Sequence, residues 1–272
     1  MAGRGIRDTV LADHVRDSGL KIQQILREIR VRPEENMPKF WSFVGNEKYD
    51  VGCTGRTVYV YLKDGTEVAR FRDITYAYTP LISPDGRFLV VKSTVGTLAA
   101  YSLETLSLIR KFRFSKVDGA QDDGFCFSPD GKYLYNVERH VDSCKTALSV
   151  YDTRGFSLIR RVLGDDYSVV LGWIECDEES DEIFLLGFRR DEKSGVASEF
   201  FVAKLNEDVL EDVRYITAAE YHHYSGCLGL KMTGFTKEAC KWLRLNALSD
   251  ELKSSELSLA KLWTDNKSER TD

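Results

Sequence analysis

Residues 58–71 read VYVYLKDGTEVARF, residues 98–112 LAAYSLETLSLIRKF and residues 148–162 LSVYDTRGFSLIRRV. Each is an alternating apolar run, a polar turn, and a second run that closes on basic and apolar residues. Alternation with a period of two puts successive side chains on opposite faces of a strand, so each copy predicts a β-hairpin. Tyr61, Tyr101 and Tyr151 mark the same place in the three copies, 40 and then 50 residues apart. That interval is the length of a four-stranded repeat. One such unit cannot bury its own apolar face, so neighbouring units must stack to form a core.

Residues 82–89 (ISPDGRFL) and 127–134 (FSPDGKYL) repeat 45 residues apart. Proline presets φ for the turn, aspartate caps it through its side chain, and glycine takes the positive φ that other residues resist. An apolar strand follows each. The unit is therefore strand, SPDG turn, strand, loop, strand, turn, strand. Weaker copies run through residues 167–216 and 227–263, and a first is built around residues 41–71. Together they predict about five blades. Residues 40–44 are the candidate strand for completing the last blade and closing the ring.

The SPDG turn, followed by Tyr101-Ser102-Leu103 or Tyr151-Asp152-Thr153, resembles the WD-repeat family of β-propellers over roughly residues 57–163. Tyr151-Asp152 stands where that family often has Trp-Asp; the family's Gly-His pair is not visible. The resemblance implies an all-β fold, a β-propeller of about five four-stranded blades. It also implies protein binding through one face of the ring, where the loops entering the innermost strands and joining the middle strands gather. Those loops are residues 115–123, 139–145, 164–167 and 189–196. Their charged side chains Asp122, Asp123, Arg139, His140, Asp165, Arg189 and Arg190 are the candidate partner-binding residues.

Residues 8–32 read as an amphipathic helix. Leu11, Val15, Ile22, Ile25, Leu26 and Ile29 form an apolar stripe at helical spacing, Gly19 weakens its middle, and Pro33 ends it. The expected domains are an N-terminal helical segment (1–36), the propeller (37–263) and a polar tail (264–272).

A net charge of −5 argues against nonspecific nucleic-acid binding, which needs a concentrated basic surface. The basic groups Arg110-Lys111-Arg113-Lys116 and Arg160-Arg161 recur at matching repeat positions, where charged outer strands resist edge-to-edge aggregation. No stretch approaches the 18 or so apolar residues that span a bilayer, and no signal-peptide pattern opens the chain. The six cysteines contain no CxxC pair and imply no disulfide framework. His222 and His223, if on a strand, point to opposite faces, and no third metal ligand is evident near Glu220 and His222. The acidic run at residues 175–182 falls where a strand-to-strand turn is needed. No nucleophile elbow, phosphate-binding loop or dinucleotide fingerprint is present, so no catalytic residue, cofactor or metal is assigned. The expected function is a non-catalytic, cytoplasmic protein-interaction scaffold. The alternatives are a subunit that docks into a larger assembly through the N-terminal helix, and a propeller hydrolase or lactonase.

Overall fold

The SPDG segments fold as their chemistry dictates. In the computed structural model, Ser83 Oγ donates to Asp85 Oδ1 at 2.6 Å and accepts from the Phe88 backbone at 2.9 Å. Ser128 repeats this with Asp130 at 2.7 Å and Tyr133 at 3.0 Å. Gly86 and Gly131 take φ of 69° and 67°. The structure describes residues 38, 40–113, 124–139, 146–166, 168–191, 193–232 and 258–266.

Among these residues sixteen strands make four four-stranded antiparallel sheets, each running in simple chain order. Sheet 1 contains β1 (Ser42–Gly45), β2 (Tyr49–Cys53), β3 (Val58–Leu62) and β4 (Glu67–Phe71). Sheet 2 contains β5 (Ala77–Ile82), β6 (Phe88–Ser93), β7 (Thr97–Ser102) and β8 (Ser107–Arg113). Sheet 3 contains β9 (Phe125–Phe127), β10 (Tyr133–Arg139), β11 (Thr146–Asp152) and β12 (Ser157–Val162). Sheet 4 contains β13 (Val169–Cys176), β14 (Ile183–Arg190), β15 (Ala197–Asn206) and β16 (Val209–Ile216). The acidic run is the β13–β14 turn, where Asp177 accepts from the backbone and hydroxyl of Ser180 at 2.9 and 2.7 Å.

The repeat also shows in the bulges. Pairing with the outer strand shifts at Val60/Tyr61, Ala100/Tyr101 and Val150/Tyr151, so each marker tyrosine sits at the same irregularity. Each of the last two tyrosines takes an aromatic ring from the preceding sheet. Phe71 stacks on Tyr101 at 4.1 Å, and Phe112 lies on Tyr151 at 4.7 Å. Around these rings the sheets bury shared clusters. Val51, Val58 and Val60 pack with Leu89, Val91 and Ala99; Val90, Leu98 and Ala100 with Phe127 and Leu134; Val137, Leu148 and Val150 with Leu171, Leu185 and Ala203. Each fully buried apolar side chain contributes about 1.5–3 kcal/mol, and none of the sheets could bury these faces alone.

Two expectations are corrected. Among the described residues four sheets form, not about five blades, and the last strand ends at Ile216. The fifth copy is helical where it is described: α1 (Ala218–Met232) and α2 (Leu259–Asp265). A Thr-x-x-Glu capping box starts α1. Thr217 Oγ1 accepts from the Glu220 backbone at 3.2 Å, and Glu220 Oε2 accepts from the Thr217 backbone at 2.7 Å. Ser258 caps α2 by accepting from the Lys261 backbone at 3.1 Å. Tyr221, Tyr224, Leu259 and Leu262 then cover Trp173, Phe184, Leu186 and Val202 on the far face of sheet 4. His222 and His223 therefore lie on a helix, and residues 240–245 lie outside the described residues.

The second correction concerns ring closure. The strand expected at residues 40–44 is β1, which pairs with β2 of its own sheet instead of completing the last one. Asn46 closes that hairpin by accepting from the Tyr49 backbone at 2.7 Å, a short loop that costs little closure entropy. The predicted helix at residues 8–32 and the tail beyond residue 266 lie outside the described residues.

Candidate functional site

Every sheet has one end at which its first strand begins, its second stops, its third begins and its fourth stops. These ends lie side by side. Gly55 and Ala77 form a bridge between sheets 1 and 2. Lys92 reaches Asn136 and the Val137 carbonyl between sheets 2 and 3, and Thr146 Oγ1 bonds the backbone of Leu171 between sheets 3 and 4. The SPDG turns and their counterparts gather at the opposite end, where Gly131 lies beside Pro84 and Asp85.

On sheets 1 and 2 this first end carries two exposed aromatic side chains. Trp41 is 39% exposed and Tyr76 63%. They flank the β2–β3 turn: the Trp41 backbone donates to the Cys53 carbonyl at 2.7 Å, and Ala77, next to Tyr76, donates to the Gly55 carbonyl at 3.1 Å. Gly55 takes φ of 80°, and the space a Cβ would fill there borders the Trp41 indole. Tyr76 holds φ of 55°, a left-handed conformation uncommon outside glycine. Exposed Arg56 and Arg72 stand in the neighbouring turns.

Beneath the same end, between sheets 2 and 3, lies a buried polar chain. Lys92, Asn136 and Glu138 are 2%, 0% and 0% exposed. Lys92 Nζ donates to Asn136 Oδ1 at 2.9 Å, and Asn136 Nδ2 donates to Glu138 Oε1 at 3.4 Å. Tyr151 donates to Glu138 Oε1 at 2.5 Å and Arg161 to Oε2 at 3.3 Å. Burial, then the Glu138 carboxylate beside it, pushes the Tyr151 phenol well above its usual range. One cation at each end of the chain offsets a carboxylate that burial would otherwise penalise. The arrangement ties β6 of sheet 2 to β10, β11 and β12 of sheet 3.

Of the charged residues expected to bind a partner, Arg139, Asp165, Arg189 and Arg190 lie at this end. Asp165 is exposed in the β12–β13 connection. Arg189 lies 3.6 Å from Asp166 and 3.8 Å from Glu199, and Arg190 closes β14. Arg139 ends β10, with its side chain outside the described set. Asp122, Asp123 and His140 lie outside the described residues. Sequence reasoning missed Trp41 and Tyr76 because each sits just before a strand, in a segment without periodicity. It missed the polar chain too, although a lysine inside FLVVKS and an asparagine and glutamate inside YLYNVE were legible signs. Among the described residues, no group of three or more His, Cys, Asp or Glu side chains stands together as metal ligands.

Fold and site together define an all-β protein of four stacked antiparallel sheets with one aromatic, charged end. No family model and no curated protein matches the chain. Among solved structures, hydrazine synthase of Kuenenia stuttgartiensis is similar, with a TM-score of 0.50 at 16% identity. The match covers 69% of this chain and 52% of that one, so this chain spans about half of that structure's length. At that identity the likeness concerns the fold alone. No helix among the described residues is long and apolar enough to cross a membrane.

Proposed function

We propose that the chain is a non-catalytic binding platform. In this reading its sheets are the blades of an open, WD-repeat-like propeller, and its aromatic end holds a protein partner. The observation that carries the reading is the pair Trp41 and Tyr76, exposed on either side of one turn. Large exposed aromatics are the side chains from which protein interfaces draw most of their affinity. Arg56 and Arg72 in the neighbouring turns, with Asp165 and Arg189 on the later sheets at the same end, suit a polar rim that selects partners and speeds encounter. The rigid, buried chain from Lys92 to Glu138 supports the surface from below, so binding would cost little ordering of the platform. Free thiols at Cys53, Cys126 and Cys176 support a reducing, cytoplasmic setting.

The test is affinity capture from native lysate with three full-length baits: the unmodified chain, Trp41→Ala/Tyr76→Ala, and Arg87→Ala/Lys132→Ala at the opposite end. A partner held by the first and third baits and lost by the second is the expected result. A partner retained by the aromatic variant, or lost by the opposite-end variant, would contradict the assignment.

A further inference from the structure

We propose that residues 21–32 of this same chain pack against the outer face of sheet 1, closing the first end of the stack as α1 and α2 close the last. The repeat register points there. Tyr101 and Tyr151 each take a ring from the sheet before them, Phe71 and Phe112. Tyr61, at the same bulge in sheet 1, takes Phe40 instead, edge-on at 6.3 Å. Phe40 lies so closely over Gly52 that a Cβ there would run into its ring. Phe40 thus stands where a preceding sheet would supply its aromatic. Phe43, Tyr59 and Tyr61 complete the surface, with Phe43 and Tyr61 only 7% and 6% exposed.

The opposite end shows what such a closure requires. Arg110, Arg160 and Arg214 occupy one register position in three successive outer strands, opposite Ala100, Val150 and Val202. Arg110 bonds Ser157 of the next sheet at 2.8 Å, and Arg160 bonds Asp208 of the next at 2.8 and 2.9 Å. Among the described residues no sheet follows Arg214, and it bonds the Trp263 carbonyl of α2 and lies over the Trp263 ring. A helix therefore takes the place of a sheet at the last position.

Dimensions fit the same solution at the first position. Strands of five residues are about 17 Å long. Twelve residues of helix span about 18 Å, and Ile22, Ile25, Leu26 and Ile29 place an apolar stripe along that length. Residues 33–39 leave up to roughly 23 Å of connecting chain.

The test cuts the connection without removing the segment. A site-specific protease sequence placed within residues 33–37 of the full chain is cleaved, and the product is run on size exclusion with light scattering. Co-elution of residues 1–36 with the remainder at the mass of one chain is expected, with loss of co-elution in Ile22→Asp/Ile25→Asp. Tyr59→Glu, on the sheet side, should release the segment as well and serves if the double variant does not fold. Separation of the segment from a remainder with unchanged circular dichroism would overturn the proposal. So would co-elution only at twice the mass, which would make a second copy the occupant. Co-elution insensitive to all three substitutions would also overturn it. No binding partner enters the assay, so its outcome is independent of the proposed function.

Discussion

Tyr101 and Tyr151 sit at the same bulge in consecutive sheets, yet their hydroxyls meet different surroundings. Tyr151 donates to buried Glu138, whereas the fully buried Tyr101 hydroxyl has no hydrogen-bond partner. Ser93 occupies the place in sheet 2 that Glu138 holds in sheet 3, and its hydroxyl accepts from the Val95 backbone. A buried polar atom without a partner costs about 1–3 kcal/mol. Tyr101→Phe should therefore stabilise the chain by about 1 kcal/mol, and Tyr151→Phe should destabilise it by about 1–3 kcal/mol. Denaturant midpoints of the two variants, compared at constant m-value, check the opposite signs. The turn aspartates set the acid limit. The Lys132 ammonium and the Ser128 hydroxyl hold the Asp130 carboxyl down to about 2. The Ser194 backbone and hydroxyl likewise lower Asp191. Their folded pKa values lie below the unfolded value, so this contribution is complete above about pH 4. It is lost as pH falls from there through the folded values, and Asp130→Asn should flatten the stability profile across that window. Thermal melts between pH 2 and pH 5 measure it.

At the scale of elements, α1 and α2 hold the far face of sheet 4 out of water. Leu262 is 2% exposed among Trp173, Phe184 and Leu186, so Leu262→Ala should cost about 2–5 kcal/mol. It should also increase binding of a hydrophobic dye by exposing that face. The hairpins and SPDG turns were legible because period-two alternation and Pro-Asp-Gly chemistry act within a few residues. The end of the repeat was read too late. Apolar residues at 227–232 suit either strand or helix, and the deciding signal was the Thr217–Glu220 capping box upstream of them. Basic residues on β8 and β12 were legible as a repeat, but their inter-sheet partners Ser157 and Asp208 depend on stacking that sequence spacing does not encode. Trp41 and Tyr76 were hidden for a similar reason: one turn from another strand brings them into the same surface.

For the whole molecule, each sheet shares its buried clusters with its neighbours, and all four begin their first and third strands at one end. Burial pushes the Cys53 thiol up to about 12 and Cys126 well above its usual value, so neither is a nucleophile near neutral pH. What the stack offers is a fixed surface. The most direct measurement is hydrogen–deuterium exchange on the captured complex against the free chain. Binding at the proposed end predicts slowed exchange in residues 54–57, 73–77 and 94–96, with the turns at residues 46–48, 83–87 and 128–132 unchanged. Protection confined to those turns, with the aromatic end exchanging as in the free chain, would contradict it.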